Sequence, residues 1–332
     1  MKKFYLLCLL TLAPHSYGQD TNSNVLKLKA ISNIQRLAFA SCNKHDKKQP
    51  LWQDLARQSP DLFIWGGDNV YADGKGIAEI LAAYKQQNSV EGYAAFKAVT
   101  PIIGTWDDHD YGKNNGGNDY ADKKLSQKYA LDFLEEPLKS LRRKQEGIYT
   151  SYDFGDAGQK IKIILLDNRY FMNPKAGSIL GEAQWKWLEQ EIKNSKASLH
   201  LLVSSISVLT PATIHTEEWA EYPAEKARLS RILKSGKKPY LYLTGDRHFS
   251  SIFTKEDELE FMSSGMTHNA PLAVRPYLRT IYPNTVFKHN YGLIDFEWEG
   301  SNPLLTLSIR TEQGQSLNQK KIKWISSRWT EF

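Results

Sequence analysis

Short apolar runs, each closed by a small or polar residue, recur along the chain. Residues 35–41, 61–66, 100–106, 160–166, 200–206 and 238–244 have the length and side-chain content of buried strands. Between them, apolar positions recur at helical spacing over residues 50–58, 77–87, 92–98, 121–134, 181–194 and 224–234. Strands alternating with helices build the β–α–β units of an α/β fold, in which ligands sit beyond the carboxyl ends of the strands. Residues 148–154 alternate and predict a half-buried strand. After residue 250 the pattern changes. Short strands are predicted at 250–254, 258–263, 291–297 and 304–310, without helical periodicity. They read as antiparallel strands added to the second sheet. With no internal repeat or linker, residues 34–332 are expected to form one domain.

The first residues follow a different pattern. A basic start at Lys2 and Lys3 precedes an apolar run, and Ser16-Tyr17-Gly18 offers small residues at signal-peptidase spacing. Residues 1–18 are therefore expected to be a cleaved signal peptide, with residues 19–33 a polar, mobile lead-in. Leu7 before Cys8 argues against a lipoprotein anchor. No later run is long enough to span a membrane, so the mature protein is expected to be periplasmic or secreted.

At 332 residues, 41% hydrophobic and 24% charged, the chain can bury a large core. Of its formal charge of +6, Lys2 and Lys3 leave with the leader. The remaining mild excess suits an anionic substrate and is no nucleic-acid signature. Once Cys8 is gone, Cys42 has no internal disulfide partner. It is either a ligand or reactive thiol, or a small buried hydrophobe.

The candidate chemistry lies just past the strands. Cys42 follows the first, and Gly66-Gly67-Asp68-Asn69-Val70-Tyr71-Ala72-Asp73 follows the second. Asp107-Asp108-His109-Asp110, with Asn114 and Asn115, follows the third, and Asp246-Arg247-His248 follows a later one. One acidic turn is commonplace and usually solvated. Four of them at strand ends point to a preassembled metal cluster. A thiolate and a phenolate beside carboxylates favour iron, and the further Asp and Asn oxygens suit calcium or magnesium. Such a cluster activates water and clamps the oxygens of a displacement. His109, Arg169 and Arg247 are candidates for neutralising charge or protonating a leaving alkoxide. Arg169 is read equally well as a partner of Asp167. The loop 210–223, with Trp219 and Tyr222, either lines the mouth of the site or packs on the surface. Together these groups suit phosphoester hydrolysis without a covalent intermediate.

Phe39-Ala-Ser-Cys42, Gly67-Asp-Asn-Val-Tyr71, Trp106-Asp-Asp-His-Asp110 with Asn114-Asn115, Leu166-Asp-Asn-Arg169 and Leu243-Thr-Gly-Asp-Arg-His248 resemble, in order, the motif series of the alkaline phosphatase D (PhoD-like) family. That family belongs to the calcineurin-like metallophosphoesterases. The resemblance implies a four-layer α/β/β/α sandwich of two mixed β-sheets flanked by helices. It implies a phosphomonoesterase or phosphodiesterase, with a phospholipase-like diesterase as one form, using iron and calcium, with Zn, Mn or Mg as other metals. Its substrate would be a small-molecule or lipid phosphoester. Cys42, Asp68, Tyr71, Asp108, Asn114, Asp246 and His248 are the implied metal ligands and His109 the catalytic histidine. Asn43, Asn69 and Lys113 are candidate substrate contacts. The sequence departs from the family in lacking a large N-terminal β-domain, in Arg247, and in Ser204, Ser205 and Ser207 where Gln or His is expected. A non-catalytic periplasmic binding or sensor protein on the same fold is the alternative. A serine esterase is disfavoured because no Gly-x-Ser-x-Gly elbow is present.

Overall fold

The computed structural model describes residues 23–211, 217–282 and 284–332. In chain order its elements are α1 (Ser23–Ala30), β1 (Arg36–Ala40), α2 (Leu51–Gln58), β2 (Leu62–Gly66), α3 (Ile77–Ser89), α4 (Glu91–Val99), β3 (Ile102–Thr105), α5 (Asp108–Tyr111) and α6 (Lys123–Phe133). There follow β4 (Thr150–Phe154), β5 (Ile161–Leu165), α7 (Gly181–Lys193), β6 (Leu199–Ser204), α8 (Pro223–Ser235), β7 (Tyr240–Thr244), β8 (Ser250–Lys255) and β9 (Glu258–Ser263). The chain ends with α9 (Arg275–Ile281), β10 (Tyr291–Glu299), β11 (Asn302–Arg310), β12 (Ser316–Ile325) and β13 (Arg328–Glu331).

Two mixed sheets face each other. The first has the order β13-β12-β11-β10-β1-β2-β3 and the second β4-β5-β6-β7-β9-β8. The strands alternate strictly between two environments. Leu37 and Phe39 of β1, Leu62 and Ile64 of β2, Ile163 of β5, Leu201 of β6 and Leu243 of β7 meet in the core between the sheets. Ala38, Phe63 and Trp65 turn the other way, onto Trp52, Tyr84, Tyr93 and Phe96 of the helices over the first sheet. Ile164, Leu202 and Tyr242 turn onto Trp185, Leu188 and Leu229 of α7 and α8 over the second. Burial on both faces is why these strands read as unbroken apolar runs. The result is the expected α/β/β/α layering.

Four features differ from the sequence expectation. The tail strands β10–β13 extend the first sheet, with β10 antiparallel to β1, whereas only β8 and β9 join the second, and β9 runs parallel to β7. The tail also holds the helix α9 and the added strands β12 and β13. The acidic turn after β3 is partly helical, because Asp110 accepts the Asp107 N–H at 2.7 Å and caps α5. Residues 23–30 form a helix where an irregular lead-in was expected. Asn24 fixes it by pairing its carboxamide with both backbone groups of Ile102 on the edge of β3, at 2.7 and 2.8 Å. The proposed signal peptide lies outside the described residues. Among those described, no helix is long and apolar enough to cross a membrane.

Candidate metal centre

The parallel strands β1, β2 and β3 release their loops at one edge, and β7 releases its loop towards them from the facing sheet. The loops are tied together by the backbone. Asn43 N–H donates to the Asp68 carbonyl at 2.8 Å and Cys42 N–H to that of Gly67 at 3.4 Å. The turns are tight. Cys42, Asp68, Asp246 and His248 all have positive φ, at 60, 53, 70 and 57°. Non-glycine residues in this region cluster at functional sites, where surrounding structure holds the strain. Gly67 (φ 107°) lets β2 pass so close to β3 that an added Cβ would lie 2.8 Å from the Asp107 Cβ and 2.9 Å from that of Ser205.

Three donor groups result, each with ligand atoms within 4.8 Å of one another: Cys42, Asp68 and His248; Asp68, Asp108 and His109; and Asp68, Asp107, Asp108 and Asp246. Asp68 belongs to all three. The Tyr71 hydroxyl joins the first group, 2.7 Å from Asp68 Oδ2 and 3.2 Å from His248 Nε2. One set thus mixes sulfur, oxygen and nitrogen, and another is all carboxylate.

The electrostatics call for a cation. Burial, then Asp68, pushes the Cys42 thiol well above its ordinary range, and the same two causes raise the Tyr71 phenol. Burial, then the neighbouring Asp108, pushes up the Asp68 carboxyl, and burial with Asp107 and Asp108 does so for Asp246. Asp107 Oδ2 and Asp108 Oδ1 are buried without a hydrogen-bond partner. Crowded carboxylates with orphaned oxygens fit a bound cation, whose charge would let all of them ionise together. Burial lowers His248 to about 4, which leaves its imidazole neutral and able to ligate.

His109 is set differently. Its Nδ1 bonds Asp73 Oδ1 at 2.5 Å, and its ring stacks on Tyr71 with centroids 4.1 Å apart. Burial works against its charge, but the Asp73 bond and the carboxylates of Asp68 and Asp108 push it up to about 9. His109 therefore holds a proton at the mouth of a cavity of about 420 Å³, which Asp108, Asn114, Asn115, Glu217, Asp246 and His248 also line.

The match to a family model decides the kinship: residues 37–273 match the model described as PhoD-like phosphatase. The chain belongs to the PhoD-like phosphatase family. No curated protein matches the sequence. Among solved structures, PhoD superposes with a TM-score of 0.69 at 17% identity, over 91% of this chain and 72% of that one. The anchor GAP50 of the inner membrane complex of Plasmodium gives 0.59 at 12% identity, over 88% and 89%. A dimetal phosphatase from Danio rerio gives 0.53 at 10% identity, over 85% and 97%. At these identities the likeness is one of fold, and the family match carries the phosphoester-hydrolase class.

Within this PhoD-like site, the structure brings together Cys42, Asp68, Tyr71, Asp108, His109, Asp246 and His248 as the sequence suggested. It gives other candidates different surroundings. Arg169 is fully buried and its guanidinium pairs with Asp107 at 2.6 Å and with Glu217, while only its backbone N–H donates to the Asp167 side chain, at 2.9 Å. Asp167 instead accepts from the indole of Trp106 and the backbone of Ile148, both at 2.8 Å. Arg247 is buried against Glu218. Both arginines thus engage carboxylates, and of the two only Arg247 also lines the cavity. Asn43 donates to the Asn69 carbonyl and to Gln87, and Asn69 donates to the Thr105 carbonyl and to Asp110, so these amides brace the loops. Lys113 is exposed and pairs with Asp119 at 2.7 Å. Asn114 is exposed on the cavity wall, and its neighbour Asn115 donates its N–H to Asp108 Oδ2 at 2.7 Å. Trp219 and Tyr222 are buried, with the Trp219 indole donating to Ser204, so they do not form an aromatic groove. Residues 212–216 of that loop lie outside the described residues.

Sequence reasoning missed Asp107 as a ligand, Asp73 as the partner of His109, and the segment after β9. There Ser264 lies 3.1 Å from Cys42 Sγ and accepts the His248 N–H at 2.8 Å. His268 stands 4.2 Å from His248, ring to ring. The Ser263-Ser264 pair that closes β9 was the available signal: a polar strand end like the other four.

Proposed function

We propose that this chain is an exported, metal-dependent hydrolase of phosphomonoesters or phosphodiesters, with a preference for diesters. The observation that carries the reading is Asp68, whose carboxylate belongs to all three donor groups and so could be shared between two metals. Cys42, Tyr71 and His248 would complete an iron site with it, and Asp107, Asp108 and Asp246 a calcium site. When bound, the metals supply an activated water and the positive charge that steadies the phosphoryl oxygens.

The chain's own residues do the rest. His109, protonated and oriented by Asp73, gives its proton to the leaving alkoxide. Tyr71, stacked on that imidazole, fixes its plane. Arg169 neutralises Asp107 and Glu217 from behind, and Ser205 donates to the same Asp107 oxygen at 2.7 Å, so the carboxylate is held in one orientation. Attack of water then breaks the bond from phosphorus to the leaving oxygen. The preference for diesters rests on the cavity, which is lined by the apolar side chains of residues 270–278 as well as by the acids. Export rests on the leader pattern of residues 1–18.

The test is turnover of aryl phosphate mono- and diesters by the metal-reconstituted mature protein. Hydrolysis by the wild type is expected, with a loss in His109→Ala that grows as the leaving group becomes more basic. A folded, metal-loaded protein that turns over neither ester would replace this reading with the binding or sensor protein.

A further inference from the structure

The cavity has two unlike walls. The residues already described form one. The other is Ala270, Pro271, Val274, Tyr277 and Leu278, from the segment that leads into α9. Leu278 is buried and anchors the segment in a small cluster with Phe249, Met262 and Tyr282. Its neighbours face outward: Val274 is 42% and Tyr277 57% exposed. Apolar side chains left in water beside a polar reaction centre mark a binding surface. The family match ends at residue 273. Ala270 and Pro271 lie inside it, and Val274, Tyr277 and Leu278 lie beyond it.

We propose that the wall formed by Pro271, Val274, Tyr277 and Leu278 holds the organic arm that stays on phosphorus, and so selects phosphodiesters whose second arm is an alkyl or aryl group. The proposal rests on the phosphoesterase reading above. Its arrangement is simple. The phosphoryl group sits among the acids and His109, the leaving oxygen lies at His109, and the retained arm extends across the cavity onto the apolar wall. Water oxygen bonds to phosphorus as the bond to the leaving oxygen breaks. The leaving oxygen takes the His109 proton. The attacking water keeps one proton as the new P–OH and gives up the other to solvent, from which the imidazole is reprotonated. The products are an alcohol and a phosphomonoester that keeps the apolar arm. A monoester has no such arm and gains nothing from the wall.

The experiment uses the reconstituted full-length mature protein and 4-nitrophenyl alkyl phosphates, from methyl to hexyl. The leaving group is constant, so only the retained arm varies. A fully buried methylene is worth about fourfold, and half-burial of five of them on an open wall predicts roughly a thirtyfold rise in kcat/KM. The double variant V274S/Y277S is expected to flatten the series to about threefold or less. Both side chains are exposed, and an unchanged melting temperature verifies the fold. A flat series in the wild type, or an unchanged slope in the variant, overturns the proposal. Methyl-ester turnover with a flat series overturns the wall alone, whereas no turnover of any ester overturns the phosphoesterase reading with it. If the wall binds lipid chains, the rate climbs further once long-chain esters form micelles; if it binds soluble diesters, the rate follows monomer concentration.

Discussion

Replacing Asp73 by Asn tests the role of His109 without substituting any residue of the metal-ligand groups. The bond between Asp73 Oδ1 and His109 Nδ1 is one of the forces that raise His109 to about 9 from an ordinary 6.5. The raised group is the acid of the reaction, so activity is present below this value and falls as pH rises through it. In Asp73→Asn the bond to a charged partner is lost, while Asp68 and Asp108 still favour the imidazolium. The alkaline limb of kcat/KM is expected to move down relative to the wild type, because the Asp73 bond is one of the causes that raise His109. General-acid assistance is worth on the order of 10²–10⁴-fold, and losing the residue that orients the acid forfeits part of it. A loss of about 30- to 100-fold is expected for an alkyl leaving group, which needs its proton. The loss should be only about threefold for 4-nitrophenolate, which leaves readily without one. The assay is a pair of pH–rate profiles, one for each leaving group. Equal losses for both, or an alkaline limb that does not move from its wild-type position, would refute general-acid action by His109.

Gly67→Ala should lower the melting temperature and the retained metal together. The new Cβ meets Asp107 and Ser205 at 2.8 and 2.9 Å from a backbone at φ 107°, strain worth about 2–4 kcal/mol. Denaturant unfolding measures the loss. Arg169→Met leaves Asp107 and Glu217 without their buried cation and is expected to cost about 3–5 kcal/mol, with weaker metal retention. A variant as stable as the wild type would show that the arginine does not compensate those acids. Treatment with a chelator should abolish turnover and lower the melting temperature, because Asp68, Asp107, Asp108 and Asp246 are then crowded without compensation. Both should return when iron and calcium are added back.

The strands of the two parallel cores were legible because burial on both faces writes an unbroken apolar run, and the sequence alone placed β1, β2, β3, β5, β6 and β7 within a residue or two. Their carboxyl ends then located the site. What failed depended on pairing in space. β10 turns back beside β1, so the tail strands extend the first sheet, and no local pattern tells which sheet an antiparallel strand will join. α9 is short and only Leu278 of it is buried, which leaves no helical stripe to read. In the run Asp107-Asp108-His109-Asp110, composition cannot say which acid faces the cluster. The start of α5 decides it: Asp107 and Asp108 face Asp68, while Asp110 turns back to cap the helix and accept from Asn69 and Tyr84. Arg169 and Arg247 looked available because Glu217 and Glu218, their partners, come from a distant loop with no strand or helix signal.

The central claim is that Asp68 is shared by two metal sites, and elemental mass spectrometry of the mature protein tests it most directly. The wild type should carry iron and calcium together. Cys42→Ser should lose the iron and keep calcium, and Asp68→Ala should lose both, with turnover. An Asp68→Ala protein that keeps its metals and its activity would contradict the account.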